Sequence, residues 1–219
     1  MFFDEEMLLD LRFNIMDKYV DKFVITEATY SHNGKPKKLV FDINKFQKFK
    51  DKIIYIVVDK QPSDLHKIDI MKDRDSRDEK RKLNAYKREI FQIQKTQDAL
   101  HLAQSDDVIM VSDVDEIPNL DKINLEEIGK KIIFFKQKFF CYKLNLIYTS
   151  MPWWGTKACK KKYFKSPQWL RSIKNKKYPF WRIDALFSEK KYNNIHIVED
   201  GGWHFTNLRE AKDLEKKLL

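Results

Sequence analysis

Ile53-Ile54-Tyr55-Ile56-Val57-Val58 is a continuous apolar run, rich in β-branched residues and bounded by charge on both sides. It is too short for a core helix and too unbroken for a strand with one wet face. It therefore predicts a strand buried on both faces. Val108 to Val111 repeats the feature. Between the two lie residues 72–104, charged at first and then carrying Leu83, Tyr86, Ile90, Ile93 and Leu100 on one helical stripe. Strand, helix and strand in that order predict a βαβ unit. The expected class is α/β, with a mostly parallel central sheet flanked by helices.

Residues 5–19 set Leu8, Leu11, Ile15 and Tyr19 at helical spacing behind an acidic start. Residues 20–26 read as a strand, residues 32–36 as a loop, and residues 132–135 and 139–148 as further strands. With only 5 glycines and 6 prolines and no linker or repeat, one continuous domain over 1–219 is expected. Its halves are about 1–120, where the mostly parallel sheet is expected, and a more irregular 121–219 of mixed sheet and long loops. The 42% hydrophobic content with 14% aromatics supports a core and excludes a disordered chain. No apolar run approaches the ~20 residues of a membrane helix. The first residues are acidic where a signal peptide is basic, and Cys141 and Cys159 read as reduced thiols. The expected location is cytoplasmic, with peripheral contact to a membrane left open.

Charge is unevenly spread. Residues 157–191 hold 12 Lys/Arg against Asp184 and Glu189, which accounts for the whole net charge of +10. Tyr163, Phe164, Trp169, Tyr178, Phe180 and Trp181 are interleaved with it. Such a segment is a solvated face, a contact for an anionic small molecule, glycolipid or membrane surface, or a nucleic-acid groove.

The predicted strand at 108–111 runs directly into Ser112-Asp113-Val114-Asp115-Glu116-Ile117-Pro118. In an extended backbone, residues two apart face the same side, so Asp113 and Asp115 are predicted to converge. Two close carboxylates raise one another's pKa unless a cation neutralises them. Mn²⁺ or Mg²⁺ take such oxygen ligands together with substrate phosphates, and ligands gather at the carboxyl ends of strands in open α/β sheets. Metal-dependent phosphoryl or glycosyl chemistry is the expectation. An acidic turn facing water is the plain alternative.

That block resembles the signature of glycosyltransferase family 17, the β-1,4-mannosyl-glycoprotein 4-β-N-acetylglucosaminyltransferases with their bacterial and viral relatives. Three other stretches agree in order. Phe3-Asp4-Glu5-Glu6-Met7-Leu8-Leu9-Asp10-Leu11-Arg12 is similar to the family's opening helix. Val20 through Pro36, with Glu27-Ala28-Thr29-Tyr30-Ser31-His32-Asn33-Gly34 at its centre, is similar to its strand and loop. Asp200-Gly201-Gly202-Trp203-His204-Phe205-Thr206 is similar to its Gly-Trp-His-Phe-Ser block. Two departures stand out. Only Met1-Phe2-Phe3 precede the opening acids where the family has an apolar strand, and Gln92 is followed by Ile93 where members often have Gln-Arg.

The resemblance implies a GT-A-like fold, a nucleotide-sugar-binding half over about 1–120 and an acceptor-binding half over about 121–219. It implies an inverting transfer from a UDP-sugar, UDP-N-acetylglucosamine foremost, with Mn²⁺ or Mg²⁺. The acceptor is a hydroxyl of a glycan, glycolipid or glycoprotein. Asp113, Asp115 and His204 become metal ligands, with Asp115 the more direct. Glu27, His32, Asp113 and Arg12 fall on the donor side, although Glu27 and His32 equally suit a structural pair and an ion pair with Asp4 or Glu6 along its helix is the plainer reading of Arg12. Two glycines before His204 let a ligand approach the backbone. The base is sought among Asp200, Glu199, Asp184 and Glu116, with Asp200 chosen beside the glycine turn. Glu116 also fits a sugar contact or a cap. Trp153 and Trp154 offer stacking faces for a sugar, with Arg171 and Trp203 on the acceptor side. The competing class is a nucleic-acid-binding protein or metal-dependent nuclease that uses residues 157–191 as its groove.

Overall fold

Short segments become strands wherever a partner edge is in reach, and the described residues include ten strands. The computed structural model describes residues 1–69, 73–127, 129, 132–176, 178–179 and 181–208. Lys72 of the expected helix, and Lys177 and Phe180 of the basic segment, lie outside the described residues. In chain order the elements are α1 (Glu6–Met16), β1 (Phe23–Ala28), β2 (Ile53–Val58), α2 (Arg74–Gln94), β3 (Val108–Val111), β4 (Glu116–Pro118), β5 (Ile132–Phe135), β6 (Gln137–Cys141), β7 (Ile147–Trp153), β8 (Lys157–Lys160), α3 (Pro167–Ser172), α4 (Ile183–Leu186), β9 (Ile195–Val198) and β10 (Gly202–Thr206).

They form two compact units. The first draws on Met1–Glu6, Asp21–Leu102 and Ser166–Gln168, the second on Met7–Val20, Ala103–Lys165 and Trp169 onward.

In the first unit β1 and β2 pair in parallel over their whole length, Phe23 opposite Ile53 and Ala28 opposite Val58. Phe2 is buried, and its N–H donates to the Thr26 carbonyl at 2.9 Å, so residues 1–3 run beside β1. α2 starts where the Asp73 carboxylate accepts from the Ser76 N–H, an N-cap that satisfies an otherwise orphaned donor. The expected stripe is only partly the buried one. Leu83 and Tyr86 are exposed, whereas Asn84, Gln92 and Ile93 are buried. Polar residues take the inner face because they serve backbone groups. Asn84 bonds both the N–H and the carbonyl of His66, and Gln92 donates to the Thr26 carbonyl at 3.0 Å. β2 likewise is mostly half-buried, with only Val58 enclosed.

The second unit holds two four-stranded sheets, in the orders β4-β10-β6-β7 and β3-β8-β5-β9. Both are mixed: β10–β6 and β5–β9 run parallel, while β10–β4, β3–β8, β5–β8 and β6–β7 run antiparallel. Mixed pairing is the expectation for the second half of the chain, but it also takes in β3 and β4, which corrects the mostly parallel sheet expected of the first half. The reason is β8, a Lys-Ala-Cys-Lys stretch with little strand signal, which slots between β3 and β5 in reverse. Residues 139–148 are not one strand either. They divide at a turn where Tyr142 adopts φ 65° and the chain returns as β7.

One core joins Ile132, Phe134, Cys159, Leu170, Ile173 and Ile195; full burial of each large side chain contributes roughly 1.5–3 kcal/mol. Burial also pushes the Cys159 thiol up to about 12, so it packs as an apolar group. A second core sets Leu8 of α1, with Leu11 and Ile15, against Ile117 and Phe205. That packing carries Arg12 to the loop after β3. Among the described residues no helix is long and apolar enough to cross a membrane.

Candidate functional site

The residues after β3 form a turn rather than an extended strand. The Glu116 N–H donates back to the Asp113 carbonyl at 3.2 Å, and the Asp113 N–H donates to the Glu116 carboxylate at 2.9 Å. The extended i, i+2 backbone expected here is therefore a turn, and each carboxylate has its own anchor. Asp113 Oδ1 accepts from Arg171 at 2.7 Å. Asp115 Oδ2 lies 3.4 Å from His204 Nε2, and the Asp115 carbonyl accepts the Phe205 N–H. Burial drives the Asp113 carboxyl upward, but the charge and hydrogen bond of Arg171 together with other nearby positive charge outweigh it and hold the group below the usual carboxylate range.

Arg12 fixes the turn from beneath. Its Nη1 donates to the Asp113 carbonyl at 3.0 Å and to the Glu116 carbonyl, and Nη2 donates to Ser112 Oγ at 2.5 Å. Arg12 thus serves the backbone of the turn. It satisfies backbone acceptors that a buried turn would otherwise leave bare. Burial lowers its pKa, and the carboxylates of Glu116, Asp113 and Asp115 oppose that shift.

Glu116 is enclosed. Trp153 Nε1 donates to one oxygen at 2.6 Å, while Thr156 Oγ1, at 3.4 Å, and the Asp113 N–H share the other. Burial raises its pKa first, and the nearby Asp113 charge adds to that. With both oxygens engaged, Glu116 organises the turn.

Trp153, His204 and Phe139 form a cluster of near-parallel rings, Trp153 to His204 at 4.2 Å and Phe139 to His204 at 4.9 Å between centroids. One Trp153 face is therefore spent on the imidazole. Trp154 packs on the Ile132–Phe134 core and Trp203 on the Leu8–Ile117 core. Gly201 and Gly202 serve close approach, but to the protein's own backbone. At Gly202, with φ 118°, a Cβ would strike the Ile117 carbonyl, and at Gly201 it would meet the backbones of Val198 and Lys136. Asp200 is exposed at φ 51° and pairs with Lys138 at 2.7 Å, which lowers its pKa. Glu199 pairs with Lys136 and Asp184 with Arg182 and Lys191.

Glu27 and His32 belong to the first unit. Glu27 is fully buried and accepts from Lys37, Tyr55 and the Val40 and Phe41 N–H groups, the structural role. His32 is exposed, and its carbonyl accepts from Arg88.

Lys157 escaped sequence reasoning because it reads as one more surface lysine. It is buried, and its Nζ donates to the carbonyls of Arg171 at 2.8 Å and Ile173 at 2.5 Å. It thereby holds the end of α3 where Arg171 reaches Asp113. Burial, helped by Arg171, lowers its pKa from 10.5 to about 8. Between those values the unfolded chain binds more protons than the folded one, so stability rises with pH across that window. Urea titrations between pH 8 and 10 are expected to gain on the order of 2 kcal/mol, a gain lost in Lys157→Met.

Among the described residues no group of three His, Cys, Asp or Glu side chains gathers into a metal cage. Asp115 and His204 make a two-residue edge. Their 3.4 Å separation is long for a hydrogen bond and suits neighbouring ligands of one cation with bonds of ~2.1 Å. His204 Nδ1 is buried with no hydrogen-bond partner. A carboxylate and an imidazole are a fitting partial shell for Mn²⁺ or Mg²⁺, which complete theirs from phosphate and water.

An α/β unit that anchors a carboxylate turn at a strand's carboxyl end is the class that fold and site define. Glycosyltransferase family 17 is matched over residues 1–214, and the chain belongs to that family. Membership supports a transferase that acts on a sugar donor and an acceptor. No curated protein and no solved structure matches the chain.

Proposed function

We propose that this protein is an inverting glycosyltransferase that moves a sugar, N-acetylglucosamine foremost, from a UDP-sugar to a hydroxyl of a glycan, glycolipid or glycoprotein. The observation that carries the reading is the turn at 113–116. Arg12 pins its backbone, Arg171 keeps Asp113 ionised, and Asp115 keeps an accessible edge beside His204. In this reading Asp115 and His204 hold Mn²⁺ or Mg²⁺, which supplies Lewis-acid neutralisation of the departing diphosphate. Arg171, about a quarter exposed, offers a guanidinium whose placement Asp113 and Lys157 set. Arg12 supports the donor site from below without touching it.

Asp200 takes the proton of the acceptor hydroxyl. Unlike the buried Glu116 it is exposed, and Lys138 keeps it ionised while weakening it as a base. Asp200→Asn is therefore expected to lower turnover by about 10²-fold, the low end for general-base catalysis, with donor affinity unchanged by calorimetry.

The reading is tested by calorimetric titration with a panel of UDP-sugars, with and without Mn²⁺. Binding of one sugar nucleotide that requires the cation supports it. Failure of every UDP-sugar to bind in the presence of Mn²⁺ overturns it.

A further inference from the structure

The basic segment contains an apolar tip that the transfer reaction does not use. Trp181, Ile183 and Phe187 are 68%, 69% and 86% exposed. Ile183 and Phe187 sit four residues apart around the one-turn α4, so they share a side. Large side chains exposed to this degree amid cations are unlike a solvated face, where lysines alone suffice.

The surrounding array is built rather than loose. Tyr178 is buried, and Lys176, Arg182 and Lys191 lie 5.8–5.9 Å from its ring. Backbone bonds from Lys174 to Lys190 and from Tyr178 to Tyr192 tie the two sides of the segment together. Both acids are spent internally. Asp184 accepts from Arg182 at 2.6 and 2.8 Å and from Lys191 at 2.6 Å, and Glu189 accepts from Lys165 at 3.1 Å. Each carboxylate of the segment is thus offset by a cation of the same array. Beside Phe187 opens a cavity of about 360 Å³, with Lys165 and Lys191 among its walls.

We propose that the described residues around α4 dock the protein on an anionic lipid bilayer, with Ile183 and Phe187 inserted at the acyl boundary and Lys174, Lys176 and Lys190 on the headgroups. Two weak signals, apolar insertion and a polybasic patch, together give stable peripheral binding. Ile183 decides against single-stranded nucleic acid as the partner: an aliphatic side chain has no face on which a base stacks, whereas it partitions into lipid as well as Phe187 does. The inference is independent of the donor chemistry above.

The test is co-sedimentation of the full chain with vesicles of phosphatidylcholine, and of phosphatidylcholine mixed with phosphatidylglycerol, across a salt series. Binding to the mixed vesicles alone, weakening with salt, is expected. Ile183→Ser with Phe187→Ser should reduce it about tenfold or more, and Lys174→Glu with Lys190→Glu should do the same. These side chains are exposed, so melting and UDP-sugar binding should match the parent. No binding to the anionic vesicles overturns the proposal. So does vesicle binding that both double variants leave unchanged, or tight binding to a single-stranded oligonucleotide without vesicle binding.

Discussion

Asp115→Ala is expected to abolish the cation-dependent part of UDP-sugar binding and to lower transfer by about 10³-fold, or roughly 4 kcal/mol of barrier. The stability of the variant should hardly change. The Asp115 side chain is a quarter exposed, and the backbone hydrogen bond in which its carbonyl accepts the Phe205 N–H is kept by alanine. The loss should therefore appear in titrations with Mn²⁺ and in turnover, while the melting curve overlays that of the parent. Asp113→Ala should behave differently, because its carboxylate holds Arg171 rather than facing outward. That variant should also bind donor more weakly without Mn²⁺, as Arg171 loses its fixed position. Equal cation-dependent affinity in Asp115→Ala and the parent would remove Asp115 from the metal site.

The parts of the fold legible in the sequence are those that local pattern alone determines. β2, β3 and β5 fall on the predicted apolar runs because a short β-branched segment has few other ways to hide itself. Pairing was not legible. β8 carries lysine at both ends, yet Lys157, Ala158 and Cys159 are all buried, because its place is set by the edges of β3 and β5 on either side. A partner chosen by distant edges leaves no trace in a local window, so the parallel sheet implied by strand–helix–strand order gave way to mixed ones.

The candidate site was legible in its residues and less so in their roles. Asp113, Asp115, Glu116, Trp153, Arg171 and His204 all fall in one unit, although the sequence assigned them to opposite halves of the chain. Arg12 and Arg171, offered by the sequence to ligands, acids or solvent, are both held by the turn itself. A cation's partner depends on which carboxylate or carbonyl the fold brings near, and that is tertiary information. Glu116 is the clearest case. Its neighbours Trp153 and Thr156 lie about forty residues away in sequence, so nothing adjacent to it signals burial.

Gly155→Ala is the change expected to cost the fold most. Gly155 has an ordinary negative φ, so backbone freedom is not what requires a glycine there. A Cβ at this position would land on the Glu116 carboxylate and on Trp153 Nε1. Glu116 cannot swing aside cheaply. Its oxygens hold Trp153 at 2.6 Å and the Asp113 N–H at 2.9 Å, and a displaced carboxylate would remain buried without those donors. Overpacking costs about 1–3 kcal/mol and loss of buried hydrogen bonds adds a similar amount, so about 4 kcal/mol is expected. For a chain of this size that lowers the melting temperature by roughly 8–16 °C. Combining Gly155→Ala with Glu116→Ala opens the space that the new methyl needs, so the double variant should be less destabilised than the sum of the two single changes. Additive losses in that cycle would mean that Gly155 is required for a reason other than the seat of Glu116.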